Sequence, residues 1–219
     1  MPQHSSRHQK RSYRWLYVAS VVLILVIVWI GIKAYHNAHK PAADQGSRPV
    51  ARLSLTPGKT FPWQYKPYAL DGQRQLLRRG KRATIVVMMA SWCKFCAYDD
   101  KYVWPVLMKT SGVTVDIIDV APNAGIGNPG PVSPPFSGAD HIGKPINRAG
   151  MIAVMREYRV DFHLTQPNVA IYVDREGLAR WPITYFPTIV FINRQGVISK
   201  ISNGALQLSQ AQELLQETL

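Results

Sequence analysis

Apolar residues follow two patterns along this chain. Short dense runs occupy 83–90 (ATIVVMMA), 112–120 (GVTVDIIDV), 168–173 and 188–193. Each is too short for a stable isolated helix and fits a strand buried on both faces. Elsewhere apolar positions recur every three or four residues. Ala97, Val103, Leu107 and Met108 predict a helix after 93, and Ile152, Met155, Tyr158 and Phe162 predict one over 148–162. Ala211, Leu214 and Leu215 predict a last helix, with Ser209 and Gln212 spaced as a capping box. Asp174 is placed to cap a short helix reaching Trp181. Asp71-Gly72 between short alternating segments signals a hairpin, as does Arg194-Gln195-Gly196 between 188–193 and 197–201. Strands alternating with helices predict an α/β domain whose central mixed sheet is covered on both faces.

Two stretches fall outside this alternation. Residues 16–32 (LYVASVVLILVIVWIGI) are uncharged and apolar over 17 positions. At about 1.5 Å per residue such a helix nearly spans a hydrocarbon core of about 30 Å. Tyr13, Trp15 and Tyr17 flank one end and Trp29 and Tyr35 the other, as interfacial aromatics do. A cleaved signal peptide is the competing reading, but the run is long for one and Ala34-Tyr35-His36 offers no small-x-small site. The chain thus divides into a basic leader (1–15), a transmembrane anchor (16–32), a Pro- and Gly-broken tether (33–58) and a domain (59–219). Within the domain, 121–145 carries five glycines and six prolines in 25 residues. A loop of that length either serves function, by covering a site, or is flexible filler.

Charge sets the orientation. Four Lys or Arg precede the apolar run, against Lys33 and Lys40 after it, which predicts a cytoplasmic leader and a domain outside. The net charge is +13, yet seven of the 26 basic residues precede residue 51. What remains lacks the aromatic-basic or Cys/His motifs of a nucleic-acid binder. Arg74, Arg78, Arg79, Lys81 and Arg82 crowd together and read as a solvated loop.

Cys93 and Cys96 are the only cysteines. They sit at a strand-to-helix turn, where free N–H groups and the helix dipole favour a thiolate at the first of them. Cys93 is therefore the expected nucleophile, with Lys94 adding positive charge beside it. Cys96, one turn further in, is expected to resolve a mixed disulfide. A zinc site would need four ligands, and no further Cys exists; no metal is expected. Asp99 lies three residues beyond Cys96 on the same helical face and could take its proton, or it is an ordinary surface carboxylate favoured by the dipole; Asp100 is less well placed.

The motif Ser91-Trp92-Cys93-Lys94-Phe95-Cys96 after an apolar strand, with Phe186-Pro187-Thr188 before a second, resembles the thioredoxin superfamily. The ALDGQRQLL segment before it is similar to the membrane-anchored TlpA-like branch, including ResA-type enzymes. The resemblance implies a thioredoxin-like fold and a cis peptide before Pro187, facing Cys93. It implies that Trp92, Lys94, Phe95 and Phe186 meet the substrate, and it places an acid such as Asp99 near the second cysteine. The implied activity is thiol–disulfide exchange with protein substrates, without cofactor, outside a bacterial cytoplasmic membrane and served by a membrane redox partner. Apocytochrome c thiols, cell-wall enzymes and secreted disulfide proteins all fit. Two departures stand out: Lys94-Phe95 carries no proline, and Val87 occupies the place of the buried Asp of thioredoxins proper. Reductant and oxidant both stay open. The alternatives are a peroxiredoxin-like peroxide reductase, which lacks its Thr-x-x-Cys context here, and a copper-delivery module, for which His163 is the tempting ligand.

Overall fold

The computed structural model describes residues 21–33 and 50–219. The chain divides into two units at Pro49/Val50. In the first, 21–33 form helix α1, whose residues are exposed. The remainder of the predicted anchor, 16–20, and the leader lie outside the described residues. Among the described residues no helix is long and apolar enough to cross a membrane.

The second unit is built on a six-stranded sheet. In chain order its elements are β1 (Tyr68–Ala69), β2 (Ala83–Met89), α2 (Lys94–Tyr102), α3 (Trp104–Leu107), β3 (Val113–Asp119), α4 (Arg148–Asp161), β4 (Val169–Val173), α5 (Gly177–Arg180), β5 (Thr188–Asn193), β6 (Ile198–Asn203) and α6 (Leu208–Gln216). The strand order is β1-β4-β3-β2-β5-β6. Strands β2, β3 and β4 run parallel, and β1, β5 and β6 pair antiparallel, so the sheet is mixed. Every residue of β2 is buried, because its alternate side chains enter two cores. Ile85, Val87 and Met89 join Ala97, Trp104, Met155, Tyr158 and Ala211 under α2, α3, α4 and α6. Val86 and Met88 meet Phe61, Tyr65 and Trp181 on the other face.

That second face is covered mostly by irregular chain. Residues 50–58, which composition assigns to the tether, lie against the domain: Leu53 N–H donates to the Arg180 carbonyl at 2.8 Å, and Leu53 and Leu55 pack on the second core. The basic cluster is also less solvated than expected. Arg78 N–H donates to the buried Asp116 carboxylate at 2.7 Å, its guanidinium to the Pro167 carbonyl at 2.7 Å, and Arg79 stacks over Trp63.

Helix boundaries depart from expectation in three places. The helix after Cys93 breaks at Val103, and α3 restarts with Pro105 in its first turn, where a missing N–H costs nothing. The capping box of α6 is formed by Gln207 and Gln210, not by Ser209 and Gln212. The cap of α5 is Glu176, not Asp174; the Asp174 carboxylate instead accepts from Glu176 N–H, Tyr65 and Arg180.

Candidate active site

The end of β2 delivers Ala90, Ser91 and Trp92 to a tight turn, and Cys93 becomes the N-cap of α2. An N-cap side chain faces the free N–H groups of the first turn, and here the acceptor is sulfur: Cys96 N–H donates to Cys93 Sγ at 3.3 Å. On the opposite side Cys93 Sγ donates to the Phe186 carbonyl at 3.8 Å. The Phe186–Pro187 peptide is cis. The ring of Phe186 meets Trp92 edge-on at 5.8 Å. Trp92, Lys94, Phe95 and Phe186 are all half-buried around the pair.

Both cysteines are free thiols. Hydrogen bonding sets them apart. The Cys96 thiol and the N–H groups of Cys96 and Phe95 lower the Cys93 pKa, against burial and the charge of Asp140. Burial, followed by the shared proton and the charges of Cys93 and Asp100, pushes Cys96 well above an ordinary thiol. The Lys94 ammonium lies over the Phe95 ring at 5.1 Å. Cys93 does not stand open to solvent: it is 3% exposed, against 1% for Cys96.

Asp99 is not a surface residue. Both Asp99 and Asp100 are fully buried. Asp99 accepts from Leu206 N–H at 3.1 Å, and burial raises its pKa well above the usual carboxylate range. Asp100 accepts from Tyr158 at 2.6 Å, and burial raises it to about 7. The charge of Asp100 acts on Cys96, so the residue expected to be less well placed belongs to the site as well. A third acid, Asp119 at the end of β3, is held by the N–H groups of Ala121 and Ser91 and raised by burial to about 8. Its alternation with Val115 and Ile117 puts it on the face of the sheet that carries the cysteines.

The sequence left the Gly- and Pro-rich segment open between a cover for the site and flexible filler, and pointed to none of its residues that contact the turn. Residues 121–145 fold as a ribbon, zipped by Asn128–Ala139 and Asn123–Pro145 bridges, and lie on the cysteine turn. Gly127 N–H donates to the Ser91 carbonyl and His141 N–H to the Trp92 carbonyl, both at 2.9 Å. Lys94 N–H donates to Asp140 at 2.8 Å. Phe136 packs on Phe95 and Tyr98, and Tyr102 donates to the Gly130 carbonyl. Only the glycines in the segment hinted at such close approach. A Cβ on Gly127 would fall 2.6 Å from the Cys93 backbone. His163 is exposed just past the end of α4, and among the described residues no group of His, Cys, Asp or Glu gathers as a metal site.

The sheet order and the cap cysteine define a thioredoxin-like fold. A thioredoxin-like protein from Aeropyrum pernix is similar at TM-score 0.50 and 17% identity, over 69% of this chain and 88% of that one. StoA from Bacillus subtilis is similar at TM-score 0.45 and 15% identity, over 71% and 96%. A secreted Mycobacterium tuberculosis disulfide oxidoreductase homologous to E. coli DsbE is similar at 0.47 and 17%, over 71% and 95%. No family model matches the sequence, and no curated protein matches it.

Proposed function

We propose that this chain is a membrane-anchored thiol–disulfide oxidoreductase of the TlpA-like, ResA-like branch, working on protein substrates outside the bacterial cytoplasmic membrane. The observation that carries the chemistry is the unequal pair. Cys93 Sγ accepts an N–H at the tip of α2, while Cys96 is sealed in the core beneath it. In the proposed reaction the Cys93 thiolate attacks one sulfur of a substrate disulfide, forming a mixed disulfide and releasing one substrate thiolate. Cys96 then gives its proton to a buried carboxylate, Asp99 or Asp100, and attacks Cys93 Sγ. The Cys93–Cys96 disulfide forms, the second substrate thiolate leaves, and two electrons have passed to the substrate. A dithiol partner at the membrane resets the pair. The same steps reversed oxidise a substrate dithiol, and the reduction potential of the pair sets the direction. Phe186, with its carbonyl beside Cys93, offers backbone pairing to an extended substrate.

Cys96→Ser removes the resolving sulfur and is expected to accumulate mixed disulfides through Cys93, seen as adducts on non-reducing gels and by mass. Cys93→Ser is expected to accumulate almost none. Equal trapping by the two variants would overturn the assignment of roles.

A further inference from the structure

The ribbon leaves Cys93 poorly reachable. One flank of the sulfur is closed by the Phe186 carbonyl, and Gly127 presses on the backbone of Cys93 and Lys94 from the ribbon. Cys93 is 3% exposed, and the ribbon is seated on the backbone of the turn that carries it. Besides the Tyr102 bond to Gly130, three hydrogen bonds tie the ribbon to the cysteine turn: Gly127 N–H to the Ser91 carbonyl, His141 N–H to the Trp92 carbonyl, and Lys94 N–H to the Asp140 carboxylate. All three use backbone groups of the turn itself, and the last is charge-assisted. Those groups, two carbonyls and one N–H, are what an extended polypeptide would pair with in place of the ribbon.

We propose that residues 121–145 form a substrate-displaced gate latched by Asp140, selecting extended polypeptide segments over disulfides that cannot supply backbone hydrogen bonds. This rests on the exchange chemistry proposed above and names its substrate class. Asp140 is a positioning residue with two effects. It pins the ribbon, and its charge stands near Cys93, disfavouring the thiolate. Displacing the ribbon thus uncovers the sulfur and removes a charge that opposes its ionisation. The other titratable groups acting about the thiol are Cys96 and Asp99 from α2 and Tyr158 from α4. Lys94 and His141 flank the same turn, and the Phe186 side presents a carbonyl.

The test uses the reduced full chain and three variants. Asp140→Ala removes latch and charge. Asp140→Asn keeps an acceptor for Lys94 N–H and removes only the charge. Gly127→Ala lifts the ribbon by a backbone clash. Stopped-flow exchange is followed with hydroxyethyl disulfide and with an extended peptide bearing one mixed disulfide. Wild type is expected to prefer the peptide. Asp140→Ala and Gly127→Ala are expected to accelerate the small disulfide about 10-fold, the scale of one charge-assisted hydrogen bond, and to shrink the preference. Asp140→Asn is expected to keep the preference, while lowering the pH midpoint of Cys93 alkylation by iodoacetamide. Unchanged preference in both Asp140→Ala and Gly127→Ala would overturn the gate, as would a wild type that reacts equally with both disulfides. Glutathione equilibration of the wild type, read as the loss of two hydrogens by mass, stands apart. Failure to form the Cys93–Cys96 disulfide there refutes the redox reading, whereas the alkylation and exchange rates still report on the ribbon.

Discussion

Three buried acids, Asp99, Asp100 and Asp119, distinguish this face of the sheet at the scale of single residues, and a fourth, Asp116, lies on the other face against Arg78. All four are fully buried; Asp116 is paired with the Arg78 guanidinium at 3.4 Å, and among the described residues no ion pair is formed by Asp99, Asp100 or Asp119. Val87 stands where thioredoxins proper place an Asp, and here carboxylates approach the pair from the helix and from the neighbouring strand instead. Among the described residues Asp99 Oδ2 and Asp100 Oδ1 find no hydrogen-bond partner, which leaves room for a proton on either carboxyl. Asp99→Asn keeps the shape and the Leu206 contact while abolishing proton acceptance. If Asp99 is the base, resolution by Cys96 is expected to slow roughly 10²-fold, with the first attack by Cys93 nearly unchanged. Asp100→Asn is the paired measurement. Stopped-flow traces that separate the two steps assign the proton to one carboxyl. Resolution unaffected in both variants would remove both from the catalytic residues.

At the scale of elements, these acids make α2 and β3 sensitive to pH. Folded Asp100 and Asp116 sit at about 7 and Asp119 at about 8, all raised by burial. Each binds its proton more tightly folded than unfolded. The stability they support is fully present below the unfolded carboxylate value of about 4 and is lost as pH rises through the folded values. The slope reaches about 1.4 kcal/mol per pH unit for each group. Denaturant unfolding at pH 5 and pH 8 is expected to show the higher pH less stable, and Asp119→Asn is expected to recover on the order of 3 kcal/mol of that difference. A wild type equally stable at both would refute the assignment. The same acids mark where the sequence stopped being legible. Strands β2, β3, β4 and β5 and helix α4 follow apolar patterns that local sequence carries, and all appear within a residue or two of expectation. Helix α2 reads KFCAYDDKY, and no periodicity distinguishes a buried Asp there from a solvated one. Burial of Asp99 is decided by Leu206, 107 positions away, and that of Asp100 by Tyr158. The ribbon was opaque for a related reason. Its contacts run from backbone groups and glycines, whose pairing leaves no side-chain pattern.

For the whole molecule, the anchor proposal fixes where this chemistry takes place. The basic leader and the apolar run 16–32 support an uncleaved span with the domain outside. Protease added to intact cells is expected to digest 50–219 and leave the leader protected; full protection of the domain would overturn that topology. The ribbon bears on the molecule in another way. Its two ends meet: Ile146 N–H donates to the Pro122 carbonyl at 2.8 Å, and Ala124 N–H to that of Lys144 at 2.9 Å. Halving or doubling a loop closed at its base changes the closure free energy by only about 0.6 kcal/mol. Strand β3 and helix α4 therefore see the same anchor points whatever length of chain is looped between them. Insertions, deletions and new sequences at the tip, 131–135, leave the residues that seat the ribbon on the turn and the anchor points of β3 and α4 unchanged. On the proposed reading, one part of the molecule holds the two sulfurs in place and another, looped out from a closed base, decides which polypeptide reaches them.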